Sequence, residues 1–104
     1  MSNEELTRRA TQIVHLFFDE KFEELRTYFD TALANQMPEP KIRDIWTQGN
    51  TVFGKFQEIK RSERDPDIDV VELLCEMQSG GKLLVRIGFD LDLLVNSFYL
   101  VPVK

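Results

Sequence analysis

The first half of the chain carries apolar residues at helical spacing. Between residues 2 and 18, apolar side chains recur every three or four positions and fall on one stripe of a helical wheel. Residues 20–34 repeat this pattern behind Asp19, a residue type that often caps a helix N-terminus. A third helix is predicted from near Pro40 to Phe53, because proline is tolerated in a first helical turn. The stripes therefore predict three amphipathic helices.

Beyond Gly54 the apolar pattern changes to alternation, which is typical of strands. Residues 55–63 predict a first strand. Phe56 and Ile59 fall on opposite faces of it, so we expect a bulge there or burial on both sides. Three more strands are predicted at residues 68–78, 83–90 and 93–103. A glycine hairpin is predicted between the first two of these, at residues 79–81. In the second and third strands the odd positions are apolar, whereas the even positions mix apolar and charged residues.

Helices followed by strands predict one α+β domain over residues 1–104, with three N-terminal helices on one face of an antiparallel sheet of about four strands. The apolar face formed by the odd positions should meet the helices. The stretch "WTQGNTVFGKFQEIK" is where the third helix passes the chain to the sheet, and Trp46 and Phe53 should pack beneath the sheet there.

Charge and composition exclude several classes of partner. The 104-residue chain has a net charge of −5 and scattered basic residues, so it should repel nucleic acid and anionic membranes. No apolar run approaches the length of a membrane span, roughly 18 residues or more. The polar start of the chain lacks the apolar stretch of a signal peptide, so we expect a cytoplasmic protein.

The residues that most often carry chemistry are few. Cys75 is the single cysteine and His15 the single histidine, so we expect no intramolecular disulfide, no metal site and no cofactor. Cys75 falls on the apolar face of its strand, which predicts an inert core thiol with a raised pKa. His15 points away from the apolar stripe of its helix, which predicts a solvated side chain.

Four charged residues of the sheet are the candidates for acid–base chemistry: Glu72, Glu76, Arg86 and Asp90. All four share the parity opposite to the apolar face. We interpret them as a solvated sheet surface with cross-strand ion pairs, each contributing less than about 1 kcal/mol.

Three segments resemble the bacterial domain of unknown function family 3887 over residues 10 to 102: "FFDEKFEELRTYFD", "IRDIWTQGNTVFGKFQEI" and "VELLCEM…LLVRIGFD…LVNSFYLVP". The most specific matches are Trp46 before the "GKF" step at 54–56, the pair Phe89–Asp90, and Leu100–Val101–Pro102. The chain departs from the pattern at Ser97, where a glycine is expected.

That resemblance implies the nuclear transport factor 2-like, or cystatin-like, superfamily, with helices against a curved antiparallel sheet and a cone-shaped cavity between them. Its members often dimerise through the sheet, and the family name assigns no activity. The cavity candidates for ligand binding are Phe18, Tyr28, Phe29, Trp46, Phe53, Cys75, Met77 and Ile87. The candidates for a dimer interface are Leu74, Leu84, Tyr99 and Val101.

Three functions are consistent with these features. We expect first a non-catalytic domain that binds a small apolar ligand and forms a homodimer, with no nucleic acid or membrane partner. The second is an isomerase- or hydrolase-like enzyme, which needs Tyr28 or Asp90 to face the cavity. The third is a protein-interaction domain that uses its fourth strand as an open edge, which Pro102 near the strand end opposes.

Overall fold

The computed structural model describes residues 3–65 and 67–103. Its elements in chain order are α1 (Asn3–Phe18), α2 (Phe22–Arg26), α3 (Thr31–Gln36), α4 (Glu39–Phe53), β1 (Phe56–Arg64), β2 (Val70–Met77), β3 (Lys82–Phe89) and β4 (Val95–Val103). The strands form one antiparallel sheet in the order β1-β2-β3-β4. The predicted α+β class, with helices before the sheet, is confirmed.

Helix α1 forms where its apolar stripe was predicted and buries that stripe completely. Leu6, Ala10, Ile13 and Val14 are 0% exposed, and Phe17 is 1% exposed. The helix packs on β1, β2 and α2. Each fully buried large side chain stabilises the fold by roughly 1.5–3 kcal/mol, so this face is the main attachment of the helix to the sheet.

The segment predicted as one second helix forms two short helices, α2 and α3. Between them the backbone is extended at Phe29, because the Val95 N–H donates to the Tyr28 carbonyl (2.7 Å) and the Asp30 N–H donates to the Val95 carbonyl (2.8 Å). The Asp30 side chain then caps α3 by accepting from the Leu33 N–H at 2.8 Å. Two sheet hydrogen bonds and a cap therefore replace helical bonds that the apolar spacing predicted.

Glycine is needed where α4 ends and β1 begins. Gly54 closes α4 with φ = 76°, a backbone conformation that L side chains rarely adopt. Strand β1 then shifts register against β2 twice, between Phe56 and Glu58 and between Ile59 and Arg61. Phe56 and Ile59 both pack against the core as a result, which confirms the predicted bulge.

Alternation in β2 and β3 matches the prediction. The buried inner row consists of Val71, Leu73, Cys75, Met77, Leu83, Val85, Ile87 and Phe89. The even residues lie on the other face of the sheet and are half-buried or exposed, apart from the buried Gly88. The helices lie against the inner row, and the face that carries the even residues is called the outer face below.

Ser97 stands where the family pattern has a glycine, and a glycine of β3, Gly88, lies opposite it. Ser97 pairs with Gly88, and the register of β4 shifts directly after this pair. A Cβ placed on Gly88 would collide with the Ser97 Oγ and lie 2.8 Å from the Asn96 Oδ1. Glycine at position 88 therefore makes room for the serine side chain opposite.

Candidate functional site

Three of the cavity candidates meet in one cleft. Phe18, Trp46 and Met77 line a space of about 280 Å³ between the end of α1, the middle of α4 and the β1–β2 edge of the sheet. This aromatic cleft is completed by six residues that were not among the candidates: Asp19, Glu20, Asn50, Gly54, Lys55 and Phe56.

The other cavity candidates lie elsewhere. Cys75 and Ile87 are 0% exposed and Phe29 is 5% exposed, so all three fill the core. Tyr28 lies under the Arg9 guanidinium, and its hydroxyl accepts from Gln12 Nε2 at 3.1 Å. Phe53 lines a separate groove on the opposite flank of α4.

The apolar wall of the aromatic cleft is a stack of two phenylalanines. The Phe18 and Phe56 rings are 4.5 Å apart between centroids and 10° from parallel. His15, exposed as predicted, packs on Phe56 in a T-shaped arrangement, with 5.7 Å between the ring centroids and 83° between the ring planes. Trp46 Nε1 donates to the Phe18 carbonyl at 3.4 Å, which orients the indole across the cleft from the end of α1. Met77 forms the base and is 1% exposed.

Local backbone geometry brings these side chains together. Just beyond α1, the Asp19 N–H donates to the His15 carbonyl, and Glu20 takes the left-handed conformation with φ = 62°. This turn places both Asp19 and Glu20 on the cleft. On α4, Trp46 and Asn50 are four residues apart and so share a face. Sequence spacing could have identified Asn50 through this relation.

The rim of the cleft is polar. Asp19, Glu20, Asn50 and Lys55 surround the aromatic residues. The Arg43 guanidinium lies 3.7 Å from a Glu20 carboxylate oxygen, so part of the negative charge on the rim is balanced. The arrangement suits a ligand with a planar apolar body and a polar end, because the body would meet the rings and the end would stay at the rim.

On the opposite flank of α4, two adjoining hollows that share Ile45 form what we call the α4–β4 groove. The larger, about 420 Å³, is lined by Ile45, Gln48, Gly49, Val52, Phe53, Leu83, Leu100 and Pro102. The smaller, about 240 Å³, is lined by Leu33, Gln36, Met37, Lys41, Ile45, Asn96, Ser97, Phe98 and Tyr99.

Cys75 is a core thiol, as predicted. Its Sγ lies 3.7 Å from the Leu73 carbonyl oxygen, and burial raises the pKa of the thiol from its ordinary value of 9.0 to about 12. A thiol in this position stays protonated and unreactive near neutral pH.

The charged residues of the sheet lie away from the aromatic cleft. Glu72 and Arg86 face each other across β2 and β3 on the outer face, and Glu76 lies 3.5 Å from the Lys60 ammonium. Asp90 sits in the β3–β4 turn, where its Oδ1 accepts from the Asp92 N–H (2.9 Å) and the Leu94 N–H (3.0 Å). Asp90 therefore holds a turn together.

The four candidates for a dimer interface share the outer face. Leu74, Leu84 and Val101 are aligned across three strands, and Tyr99 pairs with Arg86 in the next row. Tyr99 is 60% and Val101 45% exposed. The structure thus brings all four side chains to one surface.

Residues 3–65 and 67–103 contain no group of three or more His, Cys, Asp or Glu side chains arranged to hold a metal ion. Within the same ranges, no helix combines the length and the apolar character that crossing a bilayer requires.

Comparison with protein families gives a match over most of the chain. No curated protein and no solved structure matches the chain. The family model described as "Protein of unknown function (DUF3887)" matches residues 10–98, which is most of the chain. The chain belongs to the DUF3887 family of proteins of unknown function.

Proposed function

We propose that the chain is a non-catalytic binding domain of the nuclear transport factor 2-like (cystatin-like) superfamily, and that its aromatic cleft takes a small apolar ligand. The helices pack on one face of a four-stranded antiparallel sheet, an arrangement that supports the superfamily assignment. The positions of Tyr28 and Asp90, the two candidates for enzymatic chemistry, support a non-catalytic role. Neither residue lines the cleft.

The observation that carries this proposal is the stack of Phe18 on Phe56. The stack forms one wall of a space that Trp46 also borders. Buried apolar residues fill the interior between helices and sheet, so the open space begins at the edge of this core, where the two stacked rings and the indole border it. A space of about 280 Å³ is near the lower limit for small-molecule sites, which favours a ligand of roughly one fused ring system.

The single tryptophan provides a direct test. Trp46 has the only indole in the chain, so its N–H gives one signal in a ¹⁵N–¹H correlation spectrum. Titration with 2-naphthol, a neutral planar probe, should shift that signal saturably. Ligand efficiencies of small molecules predict a dissociation constant of roughly 0.01–1 mM.

Two neighbouring positions on α4 give matched variants. Asn50→Phe places a ring in the cleft and should abolish the shift, whereas Gln48→Phe places the same ring on the opposite flank and should preserve it. Absence of a saturable shift in the unmodified protein would contradict the proposal. Equal binding by the Asn50→Phe variant would contradict it as well.

We also propose that the chain forms a homodimer through its outer face. The supporting observation is the aligned apolar row of the half-buried Leu74 and Leu84 and the exposed Val101, beside the exposed Tyr99. A contiguous apolar patch that solvent reaches marks interfaces more often than chance. A two-fold contact would place this row against its own copy.

Sedimentation velocity tests this second proposal. At high micromolar concentration the mass should be about twice the monomer mass of 12.2 kDa. Val101→Glu should return it to the monomer value, because a charge would be buried without a partner. Leu91→Glu, at a 90% exposed turn position, is the matched control and should leave the dimer intact. A monomer at all concentrations refutes self-association.

A further inference from the structure

The α4–β4 groove runs beside a strand edge. Lys41 and Phe98 lie at one end of it, and Val52 and Pro102 lie at the other, so helix and strand run in the same direction. The eleven-residue step from Lys41 to Val52 on α4 covers about 17 Å, and the five-residue step from Ser97 to Pro102 on β4 covers about the same length. The groove therefore has the length of an extended segment of five or six residues.

The hydrogen-bonding pattern of the sheet shows which backbone groups line this edge. The ladder between β2 and β3 begins at the Met77 N–H, which donates to the Gly81 carbonyl at 2.9 Å. Along an antiparallel ladder the direction of the backbone hydrogen-bonding groups alternates from residue to residue. The N–H and C=O groups of the odd residues of β3 therefore point to β2, and those of its even residues point to β4. The even residues of β3 pair with Tyr99 and Val101. Phe98 and Leu100 consequently direct their N–H and C=O groups away from the sheet.

The same edge already accepts a strand partner from within the chain. Both backbone groups of Val95 are bonded by Tyr28 and Asp30 in a parallel bridge. The partner segment then leaves the edge, because α3 begins at Thr31. Phe98 is the next outward-directed residue along β4 beyond this bridge.

Charge defines one end of the groove. Lys41 carries the one charged side chain among the described lining residues, in a chain whose net charge is −5. No ion pair involves Lys41 within residues 3–65 and 67–103. At the other end Pro102 lacks an N–H and so limits the pairing length.

We propose that the α4–β4 groove binds an extended peptide segment as an added strand on β4. The peptide carries apolar side chains at alternate positions, which enter the groove beside Ile45 and Val52, and a carboxylate at the end near Lys41. Main-chain hydrogen bonds to Phe98 and Leu100 supply the part of the affinity that does not depend on the side chains of the peptide. This site lies on the other flank of α4 from the aromatic cleft and is independent of it.

Selection from a random octapeptide library tests the proposal. The folded chain should enrich peptides with alternating apolar residues and at least one Asp or Glu. Val52→Asp, at a 67% exposed position in the groove, should weaken an enriched peptide by at least about tenfold, because an unpaired charge would be buried. Leu91→Asp, at a turn position outside the groove, should bind like the unmodified chain.

A second pair of variants separates the backbone contribution from the side-chain contribution. Leu100→Pro removes an outward N–H and the leucine side chain, whereas Leu100→Ala removes the side chain alone. The proline variant should bind about tenfold more weakly than the alanine variant, the loss expected for one hydrogen bond. Three outcomes overturn the proposal: no enrichment, enriched peptides without alternation or a carboxylate, or equal binding by the Val52→Asp variant.

Discussion

Two adjacent leucines of β2 test whether the sheet separates a buried face from an open one. Leu73 points inward, is 0% exposed and pairs with Val85. Leu74 points outward, is half-buried and pairs with Leu84 on the outer face. Substituting each leucine by alanine removes the same atoms from the same strand, so any difference in stability reports the two faces.

Burial determines the expected magnitudes. Leu73→Ala deletes buried apolar atoms and leaves a cavity, which lowers the free energy of unfolding by about 3 kcal/mol or more. Leu74→Ala removes a side chain that already touches solvent, so it should cost about 1 kcal/mol or less. Domains of this size have total stabilities of roughly 5–15 kcal/mol, so the first variant loses a large fraction and the second a small one.

Urea unfolding followed by far-ultraviolet circular dichroism measures both changes. With a slope of about 1.5 kcal/mol per M, Leu73→Ala should lower the midpoint by about 2 M and Leu74→Ala by about 0.7 M or less. The measurement is made at low micromolar concentration, so that self-association does not stabilise the outer face. Equal shifts for the two variants would refute the assignment of faces.

Three further predictions concern individual side chains. Because burial raises the pKa of Cys75 from 9.0 to about 12, the folded state keeps a proton that the unfolded chain loses. Stability should therefore fall by up to about 1.4 kcal/mol per pH unit between these values, and Cys75→Val should flatten that fall in pH-dependent urea titrations. Gly88→Val should cost roughly 1–3 kcal/mol in thermal unfolding and should be partly rescued by Ser97→Gly, whereas an uncoupled pair would contradict the close contact. Asp30→Ala should cost about 1 kcal/mol, because the Leu33 N–H loses its acceptor, and Asp30→Asn should restore most of it.

The sequence predicted those helices and strands along which apolar residues recur at a single regular spacing. The stripe of α1 and the inner rows of β2 and β3 were predicted residue by residue, because each is buried on one face against a single layer. The irregularity of β1 was also predictable, since Phe56 and Ile59 cannot share a face without a bulge.

The interruption between α2 and α3 was not predictable in the same way. Phe22, Leu25, Phe29 and Leu33 keep helical spacing and are all buried, so their pattern alone indicates one helix. The extended backbone around Phe29 arises from pairing with Val95, which lies far away in sequence. A long-range hydrogen bond of this kind leaves no local signal.

The cleft was predicted only in part for a related reason. Trp46, Phe18 and Met77 were identified from their residue types, but core and cleft residues share the same apolar character. Cys75 and Ile87 could not be distinguished from them without the packing. Asp19, Glu20 and Lys55 of the rim lie outside the helices and strands, where no period indicates which side chains converge.

The most direct test of the central claim is an intermolecular nuclear Overhauser measurement on the protein saturated with 2-naphthol. Ligand binding in the aromatic cleft predicts contacts from the naphthol ring protons to the Trp46 indole and to the Met77 methyl group. Contacts confined to Val52 and Leu100, on the other flank of α4, would contradict it. So would the absence of any intermolecular contact at saturating naphthol.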